Sequence, residues 1–127
     1  QQLAAKGSCI IVGRCADFVL GDDPRLVRIF CCTDPDDARR RCVAEYGIAE
    51  SEADAEIRRV NRNRRTHYEY YTGERWGDPH RYDLVVDTGR MTLEGACEAV
   101  AVLCRGRLRE GAGKPVPRTS ATAAKKA

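Results

Sequence analysis

Arg25-Leu26-Val27-Arg28-Ile29-Phe30-Cys31-Cys32, followed at once by Thr33-Asp34-Pro35, decides the fold class. Its apolar, β-branched centre reads as a strand of a parallel sheet, and Gly21-Asp22-Asp23-Pro24 before it is a turn signal. Thr33 or Asp34 offers an N-cap, and Pro35 suits the first helical position. The spacing predicts a helix from Pro35 to Tyr46, stopped by Gly47.

Toward the C-terminus, Ser51-Glu52-Ala53-Asp54 opens like a capping box. Ile57, Val60, Arg64, His67 or Tyr68, and Tyr71 then recur at helical spacing, with Arg58, Asn61, Arg62 and Arg65 on the adjacent face. Thr72-Gly73 ends this helix, and a loop follows from Glu74 to His80. Tyr82-Asp83-Leu84-Val85-Val86-Asp87-Thr88 is another strand. Thr92 caps a last helix over Leu93–Leu108, packed through Ala96, Val100, Leu103 and Cys104. Toward the N-terminus, Cys9-Ile10-Ile11-Val12-Gly13 reads as a strand buried on both faces. The order predicts an α/β fold with a parallel sheet, in one domain over residues 1–110. Residues 111–127 are Gly, Pro, Ser, Thr, Ala and Lys and are expected to be a disordered tail.

A hydrophobic fraction of 43% is ordinary for a folded chain of 127 residues. No apolar run is long enough to span a bilayer, and no secretory leader pattern opens the sequence. Gln1-Gln2-Leu3-Ala4-Ala5-Lys6 reads as a helix already under way, which predicts further chain upstream. The 7 cysteines form no Cys-x-x-Cys pair, and His67 and His80 sit at no zinc spacing from them. Reduced thiols in a cytoplasmic protein without a metal are therefore expected.

The net charge is only +3, yet Arg58, Arg59, Arg62, Arg64 and Arg65 crowd one short stretch. Such a cluster suits phosphate, nucleic acid or an acidic partner, or it is a solvated helix face. Gly13-Arg14-Cys15-Ala16-Asp17 follows the first expected strand, at the carboxyl end of a parallel sheet where ligands bind. There Arg14 would offer a guanidinium to a phosphate or carboxylate, and Asp17 would orient it or bond a hydroxyl or amine. The alternative is a structural Arg14–Asp17 ion pair. Arginines at i, i+4 and i+7 followed by a loop suit a closing lid. They also suit RNA phosphates, with Tyr68, Tyr70, Tyr71 and Trp76 as stacking partners or, for Tyr68 and Tyr71, as packing residues. No Gly-x-x-x-x-Gly-Lys-[Ser/Thr] phosphate loop occurs.

Gly7-Ser8-Cys9-Ile10-Ile11-Val12-Gly13-Arg14-Cys15-Ala16-Asp17, Asn61-Arg62-Asn63-Arg64, Tyr70-Tyr71-Thr72-Gly73 with Trp76, and Tyr82 to Thr88 together resemble the cytidylate-kinase-like branch of the P-loop nucleoside monophosphate kinases. The resemblance runs from about Leu3 to Leu108. It implies transfer of a phosphoryl group from ATP to a small acceptor such as CMP or dCMP. By that likeness Arg14, Asp17 and Asn61 bind acceptor, and Arg58, Arg62 and Arg64 neutralise the moving phosphoryl group. Mg²⁺ would come with ATP and be held mainly by substrate phosphates and by a P-loop. The resemblance places that loop and its strand upstream, so activity is expected only when they are supplied. Asn61 stands where the family carries aspartate, and Cys15 where an acidic residue is common. A non-catalytic nucleotide- or RNA-binding module is the alternative.

Overall fold

The structure, a computed structural model, describes residues 2–21 and 23–109. The expected tail over 111–127 lies outside the described residues. Two short helices, α1 (Gln2–Lys6) and α2 (Ala16–Val19), precede strand β1 (Ile29–Cys32). Helices α3 (Pro35–Ala44) and α4 (Glu50–Thr72) then lead, through a 3₁₀ turn at Pro79–Arg81, to β2 (Leu84–Asp87) and α5 (Leu93–Arg109).

The sheet is parallel, pairing Ile29 with Leu84, Phe30 with Val85, Cys31 with Val86 and Cys32 with Asp87. Parallel strands need a long crossover, which α3 and α4 supply. The ladder continues past both ends, through Asp83 N–H to Arg28 O (2.8 Å) and Thr88 N–H to Cys32 O (2.8 Å). Asp83 secures the entrance to β1. One of its oxygens accepts from the Arg28 amide at 2.7 Å, and the other pairs with Arg107 of α5. The buried Arg28 in turn donates to Gly21 O at 2.8 Å.

Asp34 caps α3, accepting from the amides of Asp36 (2.9 Å) and Asp37 (3.0 Å), with Pro35 at the first helical position. Thr92 caps α5 by accepting from Gly95 N–H at 3.1 Å. Helices α3 and α4 pack through Cys42 and the fully buried Ala53, joined by a two-pronged Arg39–Asp54 pair at 2.9 Å for each contact. The last face of α5 packs as its periodicity requires: Ala96 is buried, and Val100, Leu103 and Cys104 are half-buried.

Three sequence expectations are corrected. Residues 9–12 lie in no strand; Ile10 is 95% exposed and Val12 88% exposed. The run has the side chains of a buried strand but no backbone partner beside it, and pairing rather than composition makes a strand. Helix α4 begins one residue before Ser51, with Ala49 at the cap and no side-chain cap bond. Packing of Ala53 and Asp54 against α3 holds that first turn instead. Tyr71, expected to pack, is 64% exposed. The core is correspondingly small: no large side chain is fully buried among the described residues.

Candidate functional site: a loop tied to the arginine-rich helix

Gly13, Arg14 and Cys15 follow one another with φ of 68°, 59° and 51°. Only glycine adopts this left-handed region freely, so Arg14 and Cys15 hold a costly conformation. The turn is locked by Ala16 N–H to Gly13 O (3.2 Å) and by the amides of Phe18 (3.0 Å) and Val19 (2.9 Å) to Cys15 O. It buries Cys15 and leaves Arg14 exposed. Burial, then the charge of Asp17, pushes the Cys15 thiol up, so it is a packing residue and not an activated nucleophile.

The alternative of an Arg14–Asp17 ion pair is not realised. Asp17 Oδ2 instead accepts from the Tyr68 hydroxyl of α4 at 2.7 Å. Tyr68 is buried, as its position on the apolar stripe predicted, but its polar end faces the loop. Burial, then the hydrogen bond to Asp17, raises its phenol far above the usual range. Tyr82 is also raised, first by burial and then by the Asp17 charge, which places it in the same cluster.

The segment after α4 completes the cluster. Gly73 adopts φ 69° and donates to Glu69 O at 2.9 Å, ending the helix. Thr72 Oγ1 donates to Tyr68 O (2.7 Å) and accepts from Glu74 N–H (3.0 Å). The buried Glu74 carboxylate pairs with Arg81, Oε2 lying 2.5 Å from Nη2. Phe30 of β1 then carries Trp76 edge-on at 5.4 Å and Tyr82 at 4.9 Å. Gly77 faces the Phe30 ring, where an added Cβ would come within 3.2 Å. Trp76 is thus half-buried against β1. Sequence reasoning placed Glu74 in a loop and Tyr82 in a strand but did not join them or Arg81 to the site, because only tertiary contact gathers them.

The arginines of α4 are exposed. Arg58, Arg62 and Arg65 share one face by helical spacing, whereas Arg64 falls on the stripe of Tyr68 and Tyr71. Arg59 is bound by Glu56 at 2.6 Å, and Arg64 donates weakly to Asn61 Oδ1 at 3.3 Å. Arg58 contributes its charge near Asp54. His67, Tyr70 and Tyr71 form a contiguous exposed group, with ring centroids 4.7 Å apart for His67–Tyr71 and 5.0 Å for Tyr70–Tyr71. Among the described residues no group of His, Cys, Asp and Glu is placed to hold a metal ion. No described helix is long and apolar enough to cross a membrane.

A parallel sheet with a two-helix crossover, an exposed arginine-rich helix and a strained loop that exposes Arg14 define an α/β protein. The chain belongs to the cytidylate kinase-like family, whose model matches residues 1–90. That membership places it with kinase-like proteins at the level of the family. It is similar to an uncharacterized protein from Eubacterium ventriosum ATCC 27560 with a crystal structure, at 27% identity and a TM-score of 0.75. The likeness covers 80% of this chain and 63% of that one, so the chain spans under two thirds of that relative's length. Comparison with curated proteins gave no match.

Proposed function

We propose that this chain is the acceptor and lid side of an ATP-dependent phosphotransferase that phosphorylates a small acceptor such as CMP or dCMP. In this reading the reaction needs a phosphate-binding loop, which the sequence lacks. The observation that carries it is the loop at Gly13–Asp17, where a strained backbone exposes Arg14 while Asp17 is held by the arginine-rich helix. Strain of this kind clusters at active and ligand-binding sites. Arg14 would take the acceptor's anionic group, and Asp17 a hydroxyl or amine on it. Arg58 and Arg62 would face the transferring phosphoryl group, whose charge must be neutralised because little other chemistry is needed. Arg64 would join them in that neutralisation, and Asn61, which accepts a hydrogen bond from it, would meet the acceptor. Mg²⁺ would travel with ATP and be held by its phosphates. The reading places the protein in the cytoplasm.

The test is phosphoryl transfer from ATP–Mg²⁺ to CMP by this chain and by a version extended upstream with a P-loop. Transfer by the extended protein alone, abolished by Arg62→Ala, is expected. Nucleotide binding by the extended protein without transfer to any nucleoside monophosphate would overturn the reading.

The exposed His67–Tyr70–Tyr71 group favours one second reading, a non-catalytic nucleotide- or RNA-binding module, since unpaired bases stack on such rings beside arginine. Affinity for single-stranded RNA that falls steeply with salt, and is lost in Tyr70→Ala, would support it.

A further inference from the structure

Asp17 and Tyr68 come from different elements and share a bond 51 residues apart in sequence. Tyr68 is held firmly, 7% exposed and bonded through its own carbonyl to Thr72. Its hydroxyl occupies Asp17 Oδ2, while no described residue donates to Oδ1. An ionised carboxylate accepts and never donates. That bond anchors one oxygen to a firmly held ring and narrows the directions in which the other can point. Arg14, three positions earlier, offers only donors. The loop thus presents a donor-only group and an oriented acceptor-only atom.

We propose that Tyr68 is a positioning residue that orients Asp17 so that Oδ1 reads a hydrogen-bond donor on a ligand whose anionic group lies on Arg14. The ligand class follows from the chemistry: an anion carrying an amine or hydroxyl donor at that point. A ligand presenting a carbonyl oxygen there meets the carboxylate lone pairs and is rejected, because an unpaired polar contact discriminates more strongly than a missing methylene. The identity of that ligand as an acceptor nucleotide rests on the reading under Proposed function; the orientation of Asp17 does not.

Tyr68→Phe removes one oxygen and keeps the ring. The first measurement is amide hydrogen exchange of the full chain without ligand. Exchange over residues 14–20 is expected to quicken about ten-fold, with the α3–α4 contact at Ala53 unaltered. Unchanged exchange in the loop overturns the positioning role. The second is titration with CMP, dCMP, which lacks the 2′-hydroxyl, and UMP, which lacks the amine. The wild-type chain is expected to discriminate about ten-fold or more against dCMP or UMP, which tells hydroxyl from amine. Tyr68→Phe and Asp17→Asn are both expected to lose that preference and keep residual affinity through Arg14. Undiminished preference in both variants overturns the proposal. If the wild-type chain binds none of the three, the acceptor reading and the reading of a donor fall together. The exchange result then still decides whether Tyr68 positions the loop.

Discussion

The Tyr68 hydroxyl donates to the Asp17 carboxylate at 2.7 Å, joining the arginine-rich helix to the loop that presents Arg14. The loop at Gly13–Asp17 and the position of α4 are therefore mechanically linked. Any ligand that reorients Asp17 acts on the helix through one bond.

The pair sets an alkaline limit on stability. Tyr68 in the folded chain ionises far above the ordinary phenol value of 10.0, so its contribution is fully present below that pH. The sign follows from linkage. Above pH 10 the unfolded phenol loses its proton while the folded one keeps it, so stability falls as pH rises. Denaturant midpoints should drop from about pH 10 upward, and Tyr68→Phe should flatten the decline. Tyr82, also raised, leaves part of the slope in place.

Asp83 carries more than its size suggests, bonding the Arg28 amide at 2.7 Å and pairing with Arg107. Asp83→Ala strands both partners and is expected to cost about 2–4 kcal/mol, read by urea denaturation. Asp83→Asn keeps an acceptor for the amide and should cost less.

Gly89 lies tight against the side chains of Asp37 and Thr33. A Cβ there would lie 2.1 Å from Asp37 Oδ2 and 2.6 Å from Thr33 Oγ1. Gly89→Ala should destabilise the chain by about 1–3 kcal/mol, because the turn after β2 must move away from α3. A thermal melt unaltered by this change would show that Asp37 and Thr33 yield freely.

Much of the fold was legible. Pro35 after Asp34, Gly73 after Thr72 and Thr92 before Leu93 marked helix ends, because caps and left-handed stops are local chemistry. That the two apolar runs separated by helices lie in one parallel sheet was legible, whereas their direct pairing was not. The 9–12 run misled, since composition cannot show whether a neighbouring strand is present. Arg14 and Asp17 were singled out from their place after Gly13, but that Asp17 bonds Tyr68 rather than Arg14 was not legible. Tyr68 was read as packing, which its burial bears out, while the partner of its hydroxyl comes from a residue 51 positions away. Glu74 with Arg81 left no local signal at all.

Arg14 makes no ion pair with Asp17 and is exposed, so its removal should leave stability almost unaltered. Arg14→Ala is expected to shift the denaturation midpoint by less than about 0.5 kcal/mol, the range of ordinary surface changes. A larger loss would mean that Arg14 holds the strained turn together rather than serving a ligand.

The most direct test of the proposed acceptor role of residues 13–17 is a titration of the isotopically labelled chain with CMP, followed by amide shifts in wild type and Arg14→Ala. The account predicts saturable shifts at residues 13–17 and at Tyr68, with affinity falling about ten-fold in Arg14→Ala. Shifts confined to His67, Tyr70 and Tyr71, or an affinity untouched by Arg14→Ala, would contradict it.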